Sequence, residues 1–167
     1  LLHMWEKAKD FLRKAFTIIF VASIIIWFLQ SFDFAFNFVD DSSTTMLANI
    51  GTWISHIFAP LGFEDWRAST ALVTGITAKE SVVSTLSVLT NTTSDAGLSV
   101  ALQTIFSPVS AFAFLCFTVL YMPCVAAFAA TKRELGSMKQ ALATVAYQTG
   151  VAYVVALLVY QIGSLLF

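Results

Sequence analysis

The chain has 167 residues, a formal charge of −1, 58% hydrophobic residues with sixteen Phe, and only 11% charged residues. Soluble domains carry about a quarter charged residues, so this composition argues against a water-soluble fold and requires a surface that faces the lipid bilayer. Nucleic acid is excluded as a partner, because the few basic residues flank apolar runs and form no broad basic face.

Trp5, Ala8, Phe11, Leu12 and Ala15 recur at three- and four-residue steps, opposite Glu6, Lys7, Lys9, Asp10, Arg13 and Lys14. Residues 1–14 are therefore expected to form an amphipathic helix along the membrane interface, or else a plain extension of the first span. The stretch from Leu1 to Trp5 is not the apolar segment of a signal peptide, and a start at Leu suggests a piece of a longer chain. From Ala15 to Phe32 the chain is uncharged and rich in Ile and Phe. A spanning helix needs about 20 mostly apolar residues, so a lipid-facing helix is expected at 15–32.

Lys7, Lys9, Arg13 and Lys14 precede that span, while Asp33, Asp40 and Asp41 follow it. The positive-inside rule then puts the N-terminus in the cytoplasm, and Lys132, Arg133 and Lys139 mark a second cytoplasmic loop. Crossings at 46–62, 68–90 and 103–130 connect the two sides, and a last one at 141–166 leaves the C-terminus outside. The expected fold is an all-α, polytopic transmembrane bundle over residues 15–167. Segments 46–62 and 68–90 equally suit re-entrant half-helices around Glu64, Asp65 and Arg67. His56, near Pro60, is expected to play an interfacial or hydrogen-bonding part rather than to bind metal.

Of the charged residues, only Lys79 and Glu80 interrupt an uncharged run, Ala68 to Ser94. Ionisable groups inside a membrane are costly and mark ion or substrate paths. On a continuous helix Thr70, Thr74, Thr77, Ser81 and Ser84 would form one hydroxyl stripe bordered by Glu80. The stripe suits a cation path, or else hydroxyls bonded to backbone carbonyls with the ion pair joining helices. Gly75 permits close helix approach or a local break, and broken helices recur in transporters. A restart near Thr77 would turn a helix N-terminus toward Glu80 and weaken its direct contact with a cation.

In the next run, Pro123 is expected to kink the helix and to free the Val119 carbonyl, with Tyr121 and Cys124 flanking the opening. A carbonyl, a phenol and a thiol would then converge. Cys116 and Cys124, about 12 Å apart along a straight helix, cannot bridge. In the last span, Tyr147-Gln148-Thr149-Gly150 is expected to face the bundle and pack through Gly150, with Tyr160-Gln161-Ile162-Gly163 near the outer interface.

Several motifs in order carry a family resemblance. Trp5-Glu6-Lys7, Ile26-Trp27-Phe28-Leu29, the stretch Thr74-Gly75-Ile76-Thr77-Ala78-Lys79-Glu80-Ser81, Leu120-Tyr121-Met122-Pro123-Cys124, Arg133-Glu134-Leu135-Gly136-Ser137 and Ala146-Tyr147-Gln148-Thr149-Gly150 resemble the C-terminal membrane region of the FeoB ferrous iron transporters. The resemblance implies Fe2+ uptake across a bacterial inner membrane, with this chain holding the second of two Gate motifs. It places Gly75, Lys79 and Glu80 in that Gate and Cys124 in the Pro-Cys element. Cys124 and Glu80 become the cation-contacting candidates, Thr77, Ser81 and Ser84 secondary oxygen donors, and Lys79 a charge partner or gate.

The implied partners are a cytoplasmic GTPase domain, a first Gate region and further copies in a homo-oligomer. No Gly-x-x-x-x-Gly-Lys-Ser/Thr loop occurs in the chain, so no GTP site and no enzymatic activity are expected of it. The alternatives are a nucleoside permease, which Gate-type sequences also resemble, and a membrane assembly module that transports nothing.

Overall fold

The computed structural model describes residues 2–39, 43–92 and 94–166, with the side chains of 2–4, 6–8, 10–12, 14, 15 and 95 outside the description. Every regular element among the described residues is a helix. Helix α1 (Leu2–Ser31) runs through both the expected interfacial stretch and the first span. The apolar face expected over 1–14 falls, apart from an exposed Trp5, on side chains outside the described residues, as do Asp40 and Asp41. Farther along α1, Phe16, Phe20, Ile24 and Trp27 are all exposed, the surface a lipid-facing helix presents.

Helix α2 (Met46–Ser55) starts at Thr45, whose hydroxyl accepts the Ala48 N–H. It tightens into a 3-10 turn, His56–Leu61, around Pro60 and stops at Gly62, where φ is +78°. The Tyr160 ring lies against the bare Cα of Gly62, so a side chain there has neither an accessible conformation nor room. Helices α3 (Trp66–Thr74) and α4 (Ser81–Leu89) follow, separated by a non-helical stretch, then α5 (Asp95–Ile105). Helix α6 (Pro108–Leu120) opens on a proline, whose missing N–H costs nothing in the first turn. Helix α7 (Val125–Leu135) ends at Gly136 in the left-handed conformation, and α8 (Met138–Leu166) completes the chain.

Small residues set the helix crossings. A Cβ on Gly51 would collide with Thr70 Oγ1 and lie 2.9 Å from the Trp66 carbonyl, so α2 and α3 meet backbone to backbone. Ala152 and Ala156 of α8 are fully buried, and Gly163 abuts Val109 of α6. Between these helices runs an aromatic ladder: Phe106 on Phe114 at 4.9 Å, Phe114 on Phe63 at 5.4 Å, Phe63 on Phe58 at 5.2 Å, Phe58 on Phe117 at 5.1 Å, and Phe117 stacked on Tyr121 at 5.4 Å. It fixes the upper end of α6 against the turn after α2.

Among the described residues, two stretches are long and apolar enough to cross a membrane: Pro108–Leu135, 28 residues, and Met138–Leu166, 29 residues. At 1.5 Å per residue α8 spans roughly 43 Å, ample for a hydrocarbon core of about 30 Å.

Three expectations need correction. The segment expected at 103–130 is the end of α5, then α6, then α7, because Ser107 caps a new helix at Pro108 and the chain leaves helical geometry at Tyr121. Cys116 and Cys124 consequently lie on different elements, both as free thiols. The close packing expected of the first motif falls on the second: Tyr147 is 73% exposed and a side chain at Gly150 would meet nothing among the described residues, whereas Tyr160 packs on Gly62 and Gly163 on Val109. Thirteen residues turn the copies to opposite faces, and the turn after α2 selects the second.

Candidate functional site: a crossing of two interrupted helices

Two helices are interrupted, and they meet at their breaks. The first break, Gly75 to Glu80, separates α3 from α4; the second, Tyr121 to Cys124, separates α6 from α7. Gly75 keeps a right-handed helical conformation, φ −61°, so its smallness rather than its flexibility is used. A Cβ there would stand 2.5 Å from both Tyr121 Oη and Val82 Cγ2.

Each break supplies partners to the other. Pro123 has no N–H for the Val119 carbonyl, and Lys79 Nζ donates to that oxygen at 2.8 Å and to the Tyr121 carbonyl at 3.4 Å. In return Tyr121 Oη donates to the Leu72 carbonyl at 3.1 Å, and the Val125 N–H bonds the Ile76 carbonyl at 2.9 Å. The ammonium also stands 5.0 Å from the centre of the Tyr121 ring, a cation–π distance. Lys79 thus sits at the C-terminal, electronegative end of α6.

Glu80 is the residue before α4, at that helix's electropositive end; it is exposed, and its carboxylate has no partner among the described residues. Although adjacent in sequence, Lys79 and Glu80 form no ion pair with each other. Cys124 occupies the matching place before α7 and is half-buried with a free thiol. Among the described residues no three His, Cys, Asp or Glu side chains gather around one point.

The expected hydroxyl stripe does not form, because it presumed a helix continuous through Gly75. Thr70 and Thr74 are buried on α3, where Thr74 Oγ1 shares a 2.8 Å hydrogen bond with Thr85 Oγ1 of α4. Thr77 lies in the break, its hydroxyl donating to the Thr74 carbonyl at 2.7 Å. Ser81 is half-buried in the first turn of α4 and Ser84 is exposed. Of the carbonyl, phenol and thiol expected to converge, two are engaged by other partners: Lys79 takes the Val119 carbonyl and the Tyr121 hydroxyl donates to Leu72. His56 hydrogen-bonds the Thr52 carbonyl at 3.0 Å, remote in sequence from the crossing.

A cavity of about 620 Å³ opens beside Lys79, walled by Val82, Leu86, Leu102, Phe114 and Thr118; neither Glu80 nor Cys124 lines it. Sequence reading missed the bonds of Lys79 and Tyr121 across the crossing. Their signal was present: a long polar side chain stands within four residues of Gly75 and of Pro123, Lys79 after the first and Tyr121 before the second.

Fold and site together define an all-α membrane protein organised around two helices broken where they cross. The chain belongs to the Gate family, described as nucleoside recognition, which matches residues 12–138. It is similar to the Fe(2+) transporter FeoB of Methanocaldococcus jannaschii, 43% identical over 170 residues that cover 98% of this chain and 25% of that protein. The FeoB of Staphylococcus aureus strain COL is 40% identical over 161 residues, 96% of this chain and 24% of that protein. A Fe(2+) transport protein A/Fe(2+) transporter FeoB fusion protein of Porphyromonas gingivalis is 30% identical over 214 residues, 100% of this chain and 25% of its own length. The chain therefore spans about a quarter of the length of these curated relatives. No solved structure matches it.

Proposed function

We propose that this chain is the Gate segment of a ferrous iron transporter and forms part of its permeation path. What supports the reading is the pair of interrupted helices meeting at their breaks, the arrangement membrane transporters use to present helix ends and unwound backbone to an ion, in a chain whose relatives are named Fe(2+) transporters. Fe2+ is the substrate, and Cys124 and Glu80 are its contacts: thiol and carboxylate are both ligands ferrous iron accepts. Thr77, Ser81 and Ser84 serve as secondary oxygen donors. Lys79, bonded to the end of α6, holds the crossing shut or sets its charge, with Gly75 admitting the close approach, Pro123 making the second break and Tyr121 bridging the two.

The protein sits in a bacterial inner membrane as a multi-pass chain with its N-terminus in the cytoplasm. It works with the remainder of the transporter, a GTPase domain and a first Gate region, and with further copies of itself.

The test is Fe2+ uptake by the whole protein with Cys124→Ser and Glu80→Gln, alongside membrane insertion. Reduced uptake with normal insertion supports the path; wild-type uptake by both variants refutes it. The family's description favours one rival, a nucleoside permease. Protection of Cys124 from thiol reagents by uridine but not by Fe2+ would establish that rival. Intact uptake in Glu80→Gln with weakened association between chains would instead indicate an assembly module.

A further inference from the structure

The turn after α2 carries a second constellation, separate from the crossing. Where α2 ends, the Thr52 carbonyl accepts the Ser55 hydroxyl at 2.7 Å and is contacted by His56 Nδ1 at 3.0 Å. A carbonyl oxygen only accepts, so Nδ1 carries the hydrogen, and Nε2 is the nitrogen left to face outward. It lies 3.8 Å from Glu64 Oε1, beyond hydrogen-bond reach. In the neutral ring a lone pair then faces a carboxylate, an arrangement that a bridging water, a proton or a metal ion between them relieves.

We propose that His56 Nε2 and the Glu64 carboxylate form a two-ligand docking site for a divalent first-row metal ion, with water completing the coordination. Metal–nitrogen and metal–oxygen bonds of about 2.1 Å put two ligand atoms roughly 3.0 Å apart at a right angle and roughly 3.4 Å apart in a tetrahedron. The observed 3.8 Å closes to either with a shift under ~1 Å, and both side chains, 71% and 50% exposed, stand where they can make it and where an ion can reach them. The Thr52 carbonyl supplies the outer hydrogen bond that metal-binding imidazoles characteristically make, fixing the tautomer that leaves Nε2 to bind.

Imidazole with carboxylate suits Fe2+, Mn2+, Co2+ and Zn2+ and not the softer Cu+. The neighbouring carboxylate has a structural role, since Asp65 Oδ1 accepts the Arg67 N–H at 2.6 Å as the cap of α3. Two protein ligands bind weakly, which suits a place that ions must leave as well as enter. The proposal does not depend on the crossing being the iron path.

The probe is Co2+, titrated into the whole protein in lipid nanodiscs for the wild type, His56→Ala and Glu64→Gln. Each variant is expected to lose one equivalent, or to bind it at least about tenfold more weakly, because changes even to outer-shell partners cost about 10–100-fold. Isotherms of both variants that superimpose on the wild type overturn the site. A measurement on the wild type alone guards against misfolded variants. Trp53 shares a surface hollow with His56, so saturating Co2+ should broaden the fluorine resonance of 5-fluorotryptophan at position 53, and an unbroadened line overturns the site as well.

Discussion

Gly75→Ala tests whether the two breaks are held together by close approach. The new methyl would sit 2.5 Å from Tyr121 Oη and 2.5 Å from Val82 Cγ2, whereas unstrained carbon contacts lie at about 3.5–4.0 Å. Tyr121 and α4 must therefore retreat by roughly 1 Å. Overpacking of this kind costs about 1–3 kcal/mol, and losing the Tyr121–Leu72 hydrogen bond adds about 1 kcal/mol. Against that, Ala is compatible with φ −61° and gains about 0.4–1 kcal/mol through the unfolded state. The net expectation is a loss of about 1–3 kcal/mol. Unfolding in mixed micelles reads it, with Tyr121→Phe and the double variant completing a cycle. Deleting Oη removes one of the two clashes, so the double variant should be more stable than the sum of the singles by about 1 kcal/mol or more. Strict additivity, or a Gly75→Ala variant as stable as the wild type, would refute the packing argument.

Two further outcomes follow from the same geometry. Thr74→Val removes the shared hydrogen bond to Thr85 across the first break and leaves a buried hydroxyl without that partner; it should cost about 1–3 kcal/mol, and adding Thr85→Val should restore most of it, as measured by unfolding. Gly62→Ala meets both a φ of +78° and the Tyr160 ring, so it should lose about 1–3 kcal/mol or more from strain and overpacking. In that second case Tyr160→Ala in the same chain should recover only the steric part; complete recovery would show that the backbone conformation imposes no strain.

Much of the helical layout was legible because Pro108 and Pro123 act locally, on bonds within a few residues. The partners were not. Lys79 with Val119, Tyr121 with Leu72 and Val125 with Ile76 join positions 40 or more residues apart, and no periodicity encodes which break faces which. The hydroxyl stripe failed for the complementary reason: a 3.6-residue period is meaningful only while the helix continues, and α3 stops at Thr74. The last span shows a third limit. Its two Tyr-Gln-x-Gly copies are locally alike, and distant partners distinguish them: the left-handed Gly62 leaves a bare backbone for Tyr160, and Val109 of α6 meets Gly163.

The adjacency of Lys79 and Glu80 looks at first like a self-neutralising pair, and the structure removes that reading. Lys79 makes charge-assisted bonds to two carbonyls at the end of α6, each worth about 1.5–3 kcal/mol, so it needs no carboxylate. Glu80 lies at the opposite kind of helix end, where the dipole contributes about 0.3–1 kcal/mol. The acid is consequently stabilised without being consumed: no side chain among the described residues occupies its oxygens. Breaking α3–α4 and α6–α7 at one crossing keeps a fixed cation and an uncommitted anion side by side in the sequence yet apart in their bonding. Under the proposed function that separation leaves Glu80 able to meet a passing Fe2+ while Lys79 stays in the scaffold.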